Sequence, residues 1–462
     1  MPLDKKSFVL IVAVIALFTL TGCGGGASSS SSSTTPAAHN EWTWVAGSNL
    51  VNQAGTYATQ GTASANNIPG ARDSASSWTD SSGTFWLFGG EGVDSAGNSG
   101  LLNDLWKFNG SQWTWVGGSN LVWGLGSYGT IGQPSSSNFP DSRESAANCT
   151  DSSGNLWLFG GTMYNNYHAN DLWEYSTNSG EWTWMSGSNG ANSPQGVYGT
   201  QGTAAASNVP GGRYSANCWT DSSGNFWLFG GRDNGGVHND LWKFSPSSGE
   251  WTWISGSNMD NQAGIYGTQG TAASSNVPGA REGDTYWTDS TGNFWLFGGA
   301  GYDSNGSLNF LNDLWKFNPS SAQWTWVSGS NAIFQTGVYG TQGTASSSNI
   351  PGARGWAQGW TDRSGNFWIF GGWGLDSTGA PNIINDLWEY SGGKWIWIGG
   401  SKTIDHIGIY GMLGVTSSSN IPGARSSAVS WTDKSGNLWL FGGDGYATSS
   451  AADLNDLWEY QP

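Results

Sequence analysis

Six of the eight arginines recur at Arg72, Arg143, Arg213, Arg281, Arg354 and Arg425, 68 to 73 residues apart. A guanidinium is a planar fork of donors that grips a carboxylate at two points, so six converging arginines would hold an anionic ligand. An Asn-Asp-Leu-Trp box keeps the same period, with its aspartate at Asp104, Asp171, Asp240, Asp313, Asp386 and Asp456. If each arginine pairs with such an acid, the repeated pair is scaffold. Sixfold repetition favours that reading, because a feature present in every unit solves a problem every unit has. Under the anion-gripping reading, Arg281 and Arg354 are the ring members kept as ligand candidates.

Residues that break the period are better candidates. Of 32 tryptophans, all but Trp123, Trp356 and Trp373 occupy repeated positions. Exposed indoles stack on sugar rings, offering apolar area with one donor; local loop packing is the plain alternative for each. Trp356 follows Arg354 by two residues and Trp373 directly follows Gly371-Gly372, which makes the fifth unit the expected ligand site, with Gln358, Asp284 and Tyr286 nearby. No catalytic constellation emerges. His168 and His238 fall in equivalent loops but lack a third placed ligand, so neither a metal nor another cofactor is expected. Glu144 and Glu282 each follow a recurring arginine and are the acid/base candidates of an enzyme reading. The windows opening at Asp94, Asp303 and Asp376 supply too few oxygens for calcium, which takes about six or more, and read as turns.

The elements that position these residues are strands. The 73 glycines disfavour long helices and the 32 tryptophans favour sheet. In the first unit, strand a runs from about Ser74 to Thr79 and strand b covers Phe85 to Phe88. Strand c covers Leu105 to Phe108 and strand d Trp113 to Val116, with Asp/Ser/Gly turns between strands. Trp-x-Trp in strand d puts both rings on one face, where they can wedge between neighbouring sheets. Cys149 lies six residues after Arg143 and Cys218 five after Arg213, hence on opposite sheet faces. Adjacent units meet through opposite faces, so a disulfide between the second and third units is expected.

The glycine doublet closing strand b (from Gly89-Gly90 to Gly442-Gly443), the aromatic ending strand c (from Phe108 to Tyr460) and the tryptophan of strand d resemble kelch repeats. The resemblance spans Trp42 to Tyr460 and implies an all-β, six-bladed β-propeller with four antiparallel strands per blade. By phase, the first Trp-x-Trp strand precedes the first arginine, and the last unit has none after it. The N-terminal strand should therefore close the ring beside Leu457 to Tyr460. In such a blade the d–a and b–c connections share one face, the expected ligand face. Galactose oxidase and sialic-acid mutarotases also carry kelch-type repeats. The copper-ligand set of the first has no match here. The second needs only an arginine, a carboxylate and a pocket, which leaves a carbohydrate-active enzyme at the channel mouth as the alternative.

Ahead of the repeats, Lys5 and Lys6 precede an apolar run from Phe8 to Leu20, shorter than the roughly 20 residues that span a bilayer. Leu20-Thr21-Gly22-Cys23 is similar to the lipobox of bacterial lipoproteins. It implies a signal peptide over 1–22, a lipid-modified Cys23 and membrane attachment through that anchor only. Residues 23–40 read as a Gly/Ser/Thr-rich tether and 41–462 as the repeat domain. The net charge of −17 repels phosphate backbones and excludes nucleic acid as a partner. The expectation is a monomeric lipoprotein of the cell envelope, at the outer membrane or cell surface. It is read as a scaffold binding a glycan or a protein rather than as an enzyme.

Overall fold

The computed structural model describes residues 40–190 and 193–462. The signal segment, Cys23 and the tether before Asn40 lie outside the described residues. The described chain is all-β, its one helical piece being a 3-10 turn at Tyr164–Asn166. Strands a to d of the second unit are Ala147–Thr150, Leu156–Phe159, Leu172–Ser176 and Glu181–Ser186. Those of the third are Asn217–Thr220, Phe226–Phe229, Leu241–Ser245 and Glu250–Ser255. Each sheet is antiparallel in the order a, b, c, d. In the sixth, Val429–Thr432, Leu438–Phe441 and Leu457–Gln461 take their fourth strand from Glu41–Ala46, with Trp42 opposite Tyr460 and Trp44 opposite Trp458. Such blade-like sheets are consistent with a β-propeller.

Strand b reads Phe-Trp-Leu-Phe in the third unit, and all four residues are buried. A strand that is apolar on both faces belongs between two packed layers. Accordingly, each apolar cluster joins two sheets. Trp78 and Phe88 meet Trp173 and Trp182 between the first and second units, and Phe85 and Trp113 meet Trp431 and Phe441 between the first and sixth. The first tryptophan of each Trp-x-Trp is buried, whereas the second is half-buried and stands edge-on to the tyrosine of a Gly-x-Tyr motif, as Trp115 does to Tyr57 (5.3 Å, 90°).

The recurring charges form a closed set of contacts inside each unit. Arg72 donates to both oxygens of Asp104 (2.7 and 2.8 Å), which also accepts from Tyr57 Oη (2.6 Å) and Trp106 Nε1 (2.6 Å). The same four-residue set recurs around Asp171, Asp240, Asp313, Asp386 and Asp456. Buried charge is tolerated when paired and fully hydrogen-bonded. The glycine doublet has its own cause. Gly89 (φ +64°) and Gly90 (φ +96°) lie in left-handed backbone, and a Cβ on Gly89 would stand 2.7 Å from the carbonyl oxygen of Arg143 in the next sheet.

The long d–a connections do more than line one face. Each first runs beside a b–c connection, as the hydrogen bonds from the N–H of Trp123 to Leu101 O (2.8 Å) and of Asn261 to Val237 O (2.8 Å) show, and its middle then crosses to the outer edge of the next sheet. Gly61 donates to Trp115 O (2.8 Å), and Asn67, from the Asn-x-Pro turn, donates its side-chain amide to Trp113 O (3.0 Å). The connection before the sixth unit does the same to the N-terminal strand, through Gly414 to Trp44 O (2.8 Å) and Asn420 to Trp42 O (3.0 Å). An uncovered strand edge invites foreign pairing, and these loops cover it. Strands a and b also continue beyond the doublet into short extra pairings in the first, fourth, fifth and sixth units, such as Arg354–Gly355 with Trp373–Leu375. Asp94 and Asp303 sit in turns, each with one carboxylate oxygen accepting two backbone N–H groups.

Candidate functional site

Two residues beyond each recurring arginine the backbone turns left-handed, at Ser74, Ser145, Ser215, Gly283, Trp356 and Ser427 (φ +50° to +63°). Ser145 donates its N–H to Ser74 O (2.7 Å), Ser215 to Ser145 O (2.8 Å) and Gly283 to Ser215 O (3.1 Å). Trp356 donates to Gly283 O (2.6 Å), Ser427 to Trp356 O (3.0 Å), and Ser74 to Ser427 O (2.9 Å). Below these residues the a strands line a cavity of about 510 Å³. Tyr286 reaches across it from the fourth unit, giving its hydroxyl to Asn148 O of the second (2.9 Å).

A second cavity of about 430 Å³ lies over the second and third units and shares Ser145, Ser215 and Trp356 with the first. These are the two units with short b–c loops, and their lining includes Glu144, His168, Tyr214, Arg232 and Asn234. Arg232 pairs with Glu282 at 2.6 Å. His168 is lowered by burial, its Nε2 3.2 Å from Asn234 Oδ1 and its ring 4.7 Å from that of Tyr214. Burial, then the charges of Asp73, Glu91 and Asp453, push Glu144 up to about 7. The lining thus mixes cation, carboxyl, amide and phenol around one indole. That suits a polyhydroxylated ligand, and Glu144 can exchange a proton near neutral pH.

The expected site residues divide. Arg281 and Arg354 are a correction: both are buried and held at two points by Asp313 and Asp386, so neither has a donor face for a ligand. Asp284 and Tyr286 line the central cavity but are engaged within the chain. Asp284 accepts from Asn217 (2.5 Å), and burial raises it to about 7. Gln358 is half-buried on the same wall. Trp356 lines both cavities. Trp373 is 43% exposed and lies beside Gly355 in the strand pairing, outside both linings; Trp123 is 44% exposed and packs edge-on against Tyr164 (5.4 Å). The sulfurs of Cys149 and Cys218 are joined, with Cα atoms 5.9 Å apart, linking the a strands of the second and third units.

Arg232 and Tyr214 were missed from sequence. Arg232 directly follows the doublet Gly230-Gly231, the position at which Trp373 stands out in the fifth unit. An arginine off the period was signal enough. Comparison with family models returns no match to this chain, and comparison with curated proteins returns none either.

Proposed function

We propose that the chain is an exported, lipid-anchored binding protein whose sheets are the blades of one closed, six-bladed, kelch-like propeller, and that it takes a glycan at the 430 Å³ cavity. Closure is supported by the pairing of Glu41–Ala46 with Leu457–Gln461, the cluster joining the sixth and first sheets, and the Ser74 to Ser427 hydrogen bond. Anchoring at Cys23, and with it a cell-envelope location, rests on Leu-Thr-Gly-Cys and the Gly/Ser tether.

The binding reading is carried by Trp356. It is held at φ +54°, where the other units have serine or glycine. A left-handed conformation costs a bulky residue about 1–3 kcal/mol. The fourth unit makes room for its indole, since a Cβ on Gly283 would lie 2.6 Å from Trp356 Nε1. Two matched departures from the repeat therefore set one indole between two cavities, beside Arg232, Asn234 and Glu144. An apolar ring face among polar groups is the complement of a sugar. Glycan-array and calorimetric binding should vanish in Trp356→Ala and fall about tenfold or more in Arg232→Ala, measured at a temperature where both variants remain folded. Full binding by Trp356→Ala would sink the reading. The alternative, a carbohydrate-active enzyme, is favoured by the near-neutral Glu144. In that case Glu144→Gln abolishes turnover while binding persists.

A further inference from the structure

The third unit carries polar residues where the other units are apolar. His238 precedes the Asn-Asp of its box, a position filled by Leu102, Ala169, Leu311, Ile384 and Leu454 elsewhere, all of them buried. Asp260, in the loop after strand d, stands where the corresponding loops carry Val51, Val122, Ile333 and Ile404. The two substitutions meet: His238 Nδ1 is 3.1 Å from Asp260 Oδ1. A third acid, Asp233, opens the same short b–c loop. Its Oδ1 accepts the N–H groups of Gly235 (2.7 Å) and Gly236 (3.0 Å), which leaves Oδ2 facing His238 Nε2 at 3.4 Å.

His238 is only 5% exposed, and its Nε2 makes no directed hydrogen bond. An imidazole–aspartate pair alone would satisfy Nδ1 and leave Nε2 and the Asp233 oxygen beside it unexplained. One donor atom from each of Asp233, His238 and Asp260 lies within 4.8 Å of the others. Two donors about 2.1 Å from a tetrahedral ion stand roughly 3.4 Å apart, which is the Nε2 to Oδ2 separation. Asp260 then holds the ring nitrogen that keeps its proton, the usual support for a metal-binding histidine.

We propose that Asp233, His238 and Asp260 form a site for one divalent transition-metal ion of the zinc type. His238 Nε2 and Asp233 Oδ2 bind the ion, and Asp260 orients the ring. Imidazole beside carboxylate selects zinc-like ions over calcium, which takes about six to eight oxygens. Asp233 also lines the 430 Å³ cavity. The site stands whether or not that cavity binds a glycan.

The test is calorimetric titration of the chelator-treated full chain with ZnCl₂, with CoCl₂ followed by visible absorption and CaCl₂ as the contrast. One zinc per chain is expected, with the absorption of low-coordinate cobalt and no saturable calcium binding. The decisive variant combines His238→Leu with Asp260→Val, which restores the residue types of the other units. It should fold as the wild type does and lose this ion, and any zinc it retains measures binding elsewhere. Asp233→Asn should also lose the ion, and Asp260→Asn should weaken binding about 10–100-fold. Equal zinc binding by the wild type and the double variant, or no saturable zinc binding by the folded wild type, overturns the proposal.

Discussion

Asp240 accepts hydrogen bonds from Arg213 (2.6 and 2.9 Å), Tyr198 (2.7 Å) and Trp242 (2.7 Å), with no oxygen left over. Burial alone would raise its pKa, yet Arg213 pulls it down to about 2. Removing one donor and removing the acceptor are therefore unequal events. Tyr198→Phe deletes one hydrogen bond and should cost about 1 kcal/mol. Asp240→Ala leaves a buried guanidinium without its acid and should cost about 3–5 kcal/mol. Urea unfolding midpoints of the two variants compare them directly. Equal losses would mean the Asp240 network is not the unit of stability described here.

At the scale of elements, strand d is the one whose outer edge needs protection, and two devices supply it. The d–a connection covers that edge from outside, while strand c pairs with it from inside. In the sixth sheet the inner partner, Leu457–Gln461, depends on a strand from the other end of the chain. Trp42 in that strand touches Phe370, Trp458 and Tyr460, so Trp42→Ala alone should cost about 3–5 kcal/mol. Deleting Glu41–Ala46 should do more, lowering the melting temperature of the whole chain in one cooperative transition. An unchanged melting curve for the deletion would contradict the proposed closure.

For the whole molecule, two sets of carboxyl groups pull stability in opposite directions. Burial, with neighbouring acids, raises Asp73 to about 6 and Asp453 to about 7; burial likewise raises Glu144 and Asp284 to about 7. The ordinary values are near 4. A raised folded pKa means the folded state holds the proton more tightly, so this contribution is complete below about pH 4 and is lost as pH rises through 6 to 7. Asp240 and Asp289, held near 2, contribute above pH 4 and lose that as pH falls. The net charge of −17 adds self-repulsion at high pH. Thermal stability should therefore increase from pH 8 to about pH 5 and decline below about pH 3.5. A melting temperature that rises monotonically with pH from 5 to 8 would refute this.

Periodicity was legible because it is written once per unit: strands, glycine doublets, the arginine–aspartate pairing and the phase of the first Trp-x-Trp strand all follow from residues at fixed spacing. The parity of Cys149 and Cys218 belongs with them, since alternation along a strand is a local property. What distant units contribute to one place could not be read that way. Trp356 of the fifth unit lines a cavity over the second and third, and Tyr286 crosses to Asn148; within the third unit, Asp233, His238 and Asp260 converge from two loops. The d–a connections likewise have a polar composition suited to any surface loop, and only the sheet beside each one decides that it seals an edge. Local sequence determines dihedrals, strand faces and the pairing inside a unit; the distances between units are decided by packing. The cavity that Trp356 lines lies between units, and the Asp233, His238 and Asp260 cluster lies between two loops of one unit.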